Sequence, residues 1–111
     1  MTESDKELYM RRCFSLAKKG MGRVSPNPMV GCVIVKDGKI IAKGHNTREK
    51  SRSAINHAEI LAINKACKKL KNWRLLDCDL YVTVEPCLMC LGALYNARIR
   101  KLYYGAENKS N

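Results

Sequence analysis

An α/β domain is what this sequence predicts: three layers, with a mixed sheet of at least four strands and helices on both faces. Three observations lead there. Stretches with apolar residues at helical spacing alternate with runs of strand formers, in the order helix, hairpin, helix, strand, helix, strand. Asp37-Gly38 between two apolar runs marks a tight hairpin turn. The last two strands are joined by a helix, which makes them parallel neighbours with a right-handed crossover.

Each element has its own signal. Ser4-Asp5-Lys6-Glu7 has the form of a capping box and predicts a helix starting near Asp5. Tyr9, Cys13, Leu16 and Ala17 give that helix an apolar face, and Lys18-Lys19 followed by Gly20 ends it. Two prolines, Pro26 and Pro28, hold residues 23–28 in a loop. Residues 29–36 are too apolar to be half exposed and predict a central strand. Residues 39–44 return antiparallel to it, and residues 45–53 form a polar, basic loop that includes His45. Asn56 is placed to cap a helix from about His57 to Leu70, with Ala58, Leu61, Ala62 and Ala66 as a narrow side for packing on a sheet. A connection carrying Trp73 leads to a third strand at residues 80–84. Pro86 suits the first turn of a helix that runs to about Asn96. Residues 100–104 make a short fourth strand, which Gly105 ends.

The chain has 111 residues, enough for one domain with a modest core. Hydrophobic residues make up 46%, which excludes a disordered tail. No apolar run approaches the ~18 residues of a membrane span. Residues 1–7 are polar and mostly acidic, unlike a secretory signal, so the expected compartment is the cytoplasm. Thiols there stay reduced. Cys13, Cys32, Cys67 and Cys78 are accordingly read as small buried hydrophobes. The net charge of +11 favours a polyanionic partner, the alternative being a solvated basic surface with no target. Charge does not separate RNA from DNA.

Chemistry concentrates in two motifs. His57-Ala58-Glu59 is followed, after 26 intervening residues, by Pro86-Cys87-Leu88-Met89-Cys90. One imidazole and two thiolates can hold zinc and leave one tetrahedral position open to water. Such a site lowers the pKa of water toward neutrality. Glu59 is then available as the proton carrier. Both motifs open helices, whose N-termini can converge at one end of the sheet. The helix dipole there favours thiolate at Cys87 and Cys90. A structural zinc site closed by Cys32 or Cys78 is the competing reading. Backbone N–H groups near Ala58 are candidates to hold an aromatic ring.

The H-x-E and P-C-x-x-C pair is the signature of zinc-dependent nucleobase deaminases. From about Leu8 to Asn108 the chain resembles the bacterial tRNA adenosine deaminase family, within the cytidine deaminase-like superfamily. The resemblance is densest in Val30-Gly31-Cys32-Val33-Ile34-Val35, Gly44-His45-Asn46, His57-Ala58-Glu59-Ile60, Trp73-Arg74-Leu75, Leu80 through Cys90, and Ala97-Arg98-Ile99. It implies a cytidine deaminase-like fold and one Zn2+ per chain on His57, Cys87 and Cys90. It also implies Glu59 as proton shuttle and Asn46 on the substrate nucleoside, with Asn108 near the substrate backbone. The implied activity is conversion of adenosine to inosine in nucleic acid, most of all tRNA, by a homodimer. Residues 1–111 would be a single deaminase domain without the family's C-terminal elements, either cut short or a compact relative. Residues 23–31 resemble instead the start of the riboflavin-pathway pyrimidine deaminase, which has a longer insert between its zinc cysteines. Deamination of a free nucleobase or nucleotide (guanine, cytosine or a riboflavin-pathway pyrimidine) is therefore the alternative activity.

Overall fold

The computed structural model describes residues 3–18, 30–46 and 57–107. Helix α1 spans Glu3–Lys18, β1 Gly31–Lys36 and β2 Lys39–His45. Helix α2 spans Ala58–Leu70, β3 Cys78–Val84, α3 Leu88–Asn96 and β4 Lys101–Ala106. The four strands form one sheet in the order β2-β1-β3-β4. β1 lies antiparallel to both β2 and β3, and β3 and β4 are parallel. This is the mixed sheet expected from the sequence, with β1 in its interior.

Strand alternation sorts side chains to the two faces. Cys32, Ile34, Cys78, Leu80 and Val82 meet Ala58, Ala62, Ile63 and Ala66 of α2 and Leu94 of α3. Val33, Val35 and Tyr81 meet Tyr9, Cys13 and Leu16 of α1. One helix thus covers one face and two cover the other, giving three layers. The small side chains of α2 bring it close to the sheet, and Ile63 rather than Leu61 is the larger residue it buries.

The hairpin behaves as its turn residues dictate. Asp37 and Gly38 have φ of 51° and 75°, the positive pair that a two-residue turn needs to match strand twist. A bulge follows, because Ile34 pairs with Ala42 while Val35 pairs with Ile40.

Several boundaries differ from expectation. α1 begins at Glu3, so Ser4 lies inside the helix rather than capping it. His45 belongs to β2, paired with Gly31, and not to a loop. The residue capping α2 is His57 itself. Pro86 stands ahead of α3, whose cap is Cys87. Gly105 does not end β4; the strand continues to Ala106, which pairs with Val84. Gly105 passes so near β3 that an added Cβ would lie 2.9 Å from the Thr83 carbonyl oxygen. Gly20, the loop at residues 23–28, Asn56 and Asn108 lie outside the described residues.

Candidate active site

His57 and Cys87 each hold the N-cap position of a helix, with extended backbone (φ −75°, ψ 157° and φ −72°, ψ 173°). Neither side chain closes back on its own helix. They point instead toward each other. Cys87 Sγ lies 3.6 Å from His57 Nδ1, and Cys90 Sγ lies 3.5 Å from the same nitrogen. All three ligand atoms fall within 4.8 Å of one another.

These distances suit zinc. Bonds of about 2.3 Å to sulfur and 2.0–2.1 Å to nitrogen, at a tetrahedral angle, separate the two atoms by about 3.6 Å. Borderline-soft thiolate and imidazole donors suit the same ion. Among the described residues this is the one cluster of three or more His, Cys, Asp or Glu with metal-binding spacing, and neither Cys32 nor Cys78 joins it. All six cysteines are free thiols; Cys13, Cys32 and Cys78 are buried as expected, while Cys67 is half-buried.

Glu59 is two residues into α2 from His57 and only 4% exposed. Burial raises its carboxyl above the ordinary range; its own backbone N–H and the Cys90 thiol oppose that rise by hydrogen bonding the carboxylate. The Cys90 thiol is pushed well up, first by burial and then by the nearby Glu59 and Cys87. The expectation of thiolates at both cysteines rests on a bound metal as well as on the helix dipole. At Cys90 desolvation outweighs the dipole, so a cation is needed to draw off the proton. Fully buried Cys32 is raised too, by burial and then by Glu59, Cys13 and Cys90.

The helix ends are positioned by two glycines whose role sequence reasoning missed. A Cβ on Gly44 of β2 would overlap the Ala58 carbonyl oxygen and come 3.2 Å from the Ala62 nitrogen. A Cβ on Gly31 of β1 would overlap the Cys13 carbonyl oxygen and crowd the Ala17 nitrogen, 2.6 Å away. The available signal was glycine inside an otherwise good strand, which marks close backbone approach. Asn46 follows β2 directly. Its backbone N–H donates to the Val30 carbonyl (3.2 Å), and its side-chain oxygen accepts from the Val30 N–H (3.2 Å). Ala58 is fully buried at the first position of α2, where helix N–H groups have no partner within the helix.

A family model described as the cytidine and deoxycytidylate deaminase zinc-binding region matches residues 3–106. The chain is 50% identical over 101 residues to a tRNA-specific adenosine deaminase of Streptococcus pyogenes serotype M18, a match that covers 91% of this chain and 62% of that protein. It therefore spans about three fifths of that relative's length. Its fold superposes with a TM-score of 0.90 on a structure from work on A-to-I editing by tRNA:A34 deaminases at the wobble position of transfer RNA, at 38% identity over 96% of this chain and 81% of the other. The guanine deaminase of Bacillus subtilis gives a TM-score of 0.85 at 45% identity, covering 96% of this chain and 66% of that one.

Proposed function

The chain belongs to the cytidine and deoxycytidylate deaminase zinc-binding family, and from that premise we propose that it hydrolyses the exocyclic amine of adenosine in tRNA, giving inosine and ammonia. The observation that carries this reading is the convergence of His57, Cys87 and Cys90, with the buried Glu59 on the same helix two residues after His57. We assign His57, Cys87 and Cys90 as the ligands of one zinc ion. Bound there, zinc acts as a Lewis acid that lowers the pKa of water toward neutrality.

The remaining chemistry falls to the chain. Glu59 accepts the proton of the attacking water and delivers protons to the ring nitrogen and to the departing amine. Burial raises its carboxyl above the ordinary range, which favours its taking up a proton. The first-turn N–H groups of α2 at Ala58 and the side chain of Asn46 are assigned to holding the nucleoside, and Asn108 to the substrate backbone. A base in a structured RNA reaches such a pocket only when turned out of its stack.

Net charge favours RNA over a free base as substrate. An excess of eleven positive charges gains nothing from a neutral purine but attracts phosphates strongly. The likeness to the Bacillus subtilis guanine deaminase supports a second reading, hydrolysis of a free purine. Incubation of zinc-loaded protein with an anticodon stem-loop bearing adenosine at the wobble position distinguishes the two. Inosine at that position supports the tRNA reading. Ammonia from guanine with no inosine in RNA rejects it in favour of the second.

We place the enzyme in the cytoplasm, where its six free thiols remain reduced. No described helix is long and apolar enough to cross a membrane. We propose further that it works as a homodimer, a reading that the family resemblance and the exposed apolar face of α3 support.

A further inference from the structure

We infer that Thr83 is a positioning residue for the substrate: its hydroxyl holds the Val30–Gly31 peptide, and that peptide holds Asn46. The inference rests on the reading that Asn46 binds the nucleoside, and it adds the residue that sets Asn46 in place.

The backbone ladder between β1 and β3 runs from the pair Cys32–Val82 to the pair Lys36–Cys78, and Gly31 lies one residue beyond it. The Gly31 N–H donates to the hydroxyl oxygen Oγ1 of Thr83 at 3.2 Å. Thr83 is buried. β3 is anchored here by its other neighbour, since Val82 pairs with Tyr104 and Val84 with Ala106. The hydroxyl is therefore a fixed acceptor. Gly31 is confined from the α1 side as well, by the Cys13 carbonyl oxygen that an added Cβ would overlap.

A peptide unit is planar, so holding one end holds the other. The unit whose N–H reaches Thr83 has the Val30 carbonyl at its opposite end. That carbonyl accepts the Asn46 N–H at 3.2 Å. The Val30 N–H in turn donates to Asn46 Oδ1 at 3.2 Å. Val30 thus grips Asn46 by main chain and side chain together. A donor N–H meets the oxygen of an amide and not its nitrogen, which fixes which way the Asn46 side chain is turned. What it offers the nucleoside is then N–H donors, and the atom it meets is an acceptor. Three hydrogen bonds in sequence link Thr83 to this amide, and none of them involves His57, Cys87 or Cys90.

Strand alternation keeps Thr83 apart from the chemistry. It shares the face of Tyr81, which packs on α1, whereas Val82 faces α2 and α3. The helices that begin with the metal-ligand cluster cover that opposite face. Thr83 therefore acts on the substrate through Asn46.

Single-turnover kinetics of the zinc-loaded chain on an anticodon stem-loop with adenosine at the wobble position test this. Thr83→Val keeps the shape and removes the acceptor. It should raise the half-saturating concentration about tenfold, as expected for a buried N–H left unpaired, and change the maximal rate less than about twofold. Zinc content should stay near one per chain. Thr83→Ser, which keeps the hydroxyl, should restore the wild-type value. A loss of folded protein alone would lower the maximal rate and leave half-saturation unmoved. Asn46→Ala should raise half-saturation too, and Thr83→Val added to it should cost nothing more, because both act through one contact. Thr83→Ala makes the same comparison if Thr83→Val misfolds by circular dichroism. If Asn46→Ala raises half-saturation and the Thr83 variant does not, or if the two effects add, the inference falls and the reading of Asn46 stands. If Asn46→Ala leaves half-saturation unchanged, or the wild-type chain makes no inosine, that reading falls and takes the inference with it.

Discussion

Cys87 and His57 occupy the same place in two different helices, and their side chains meet: Cys87 Sγ lies 3.6 Å from His57 Nδ1. An N-cap side chain ordinarily bonds the N–H groups of its own first turn, a contact worth about 1 kcal/mol. Both helices forgo it. A zinc ion bound by His57, Cys87 and Cys90, as proposed, would supply stabilisation in place of the caps and would tie α2 to α3 across the end of the sheet.

Removing zinc should accordingly loosen the fold. At a free zinc concentration 100 times the dissociation constant, linkage gives about 2.7 kcal/mol, or at least about 10 °C in melting temperature for a domain of this size. Chelation followed by thermal melting checks this. Cys87→Ala should reproduce the loss and no longer respond to added zinc.

Glu59→Ala should separate chemistry from metal binding. Its carboxylate is buried beside Cys90 and lies outside the ligand cluster. Zinc content should remain near one per chain, while turnover of RNA adenosine falls at least about 10²–10⁴-fold, the usual contribution of a positioned proton carrier. Metal analysis alongside single-turnover kinetics reads both. Activity that survives the substitution removes Glu59 from the reaction.

Gly44→Ala is expected to be costly although only one methyl is added. The new carbon would overlap the Ala58 carbonyl, so α2 must move away from β2. Overpacking of this kind costs about 1–3 kcal/mol. Because His57 and Glu59 begin the same helix, zinc affinity should fall with stability. Urea unfolding and zinc titration of the variant measure the pair. Gly38→Ala, in open space but at φ 75°, should cost stability without touching zinc affinity.

Alkaline pH should destabilise the protein partly through Cys13. Burial pushes this thiol up from 9.0 to about 12. Its sulfur also donates to the Tyr81 carbonyl at 3.2 Å. Below pH 9.0 the folded and unfolded chains both keep the proton. Between pH 9.0 and about 12 only the folded chain keeps it, so stability is lost as pH rises through that window. Cys13→Ala should lower stability at neutral pH and flatten this alkaline loss. Urea midpoints measured across the window under reducing conditions check both effects.

Much of the fold was legible because local signals agreed. Asp37-Gly38 fixed the hairpin, the unbroken apolar run of β1 marked an interior strand, and Tyr9, Cys13, Leu16 and Ala17 predicted the buried face of α1. The convergence of His57, Cys87 and Cys90 was legible because histidine and paired cysteines at that spacing have few other uses. Helix starts were less so. Ser4 looked like a cap and Pro86 like a first-turn residue, but α1 reaches back to Glu3, and His57 and Cys87 took the cap positions of α2 and α3. At Gly31 and Gly44 a glycine within a strand signals close backbone approach, but which distant segment approaches depends on the tertiary fold. The state of the Cys90 thiol depends on a balance of burial against dipole that only the folded environment sets.

X-ray absorption at the zinc edge of the loaded, substrate-free chain tests the central claim most directly. Two sulfurs near 2.3 Å with two nitrogen or oxygen neighbours are expected, reporting Cys87, Cys90, His57 and a solvent-filled fourth position. Three or four sulfurs would show that Cys32 or Cys78 closes the site, and an active centre could not then be built on it.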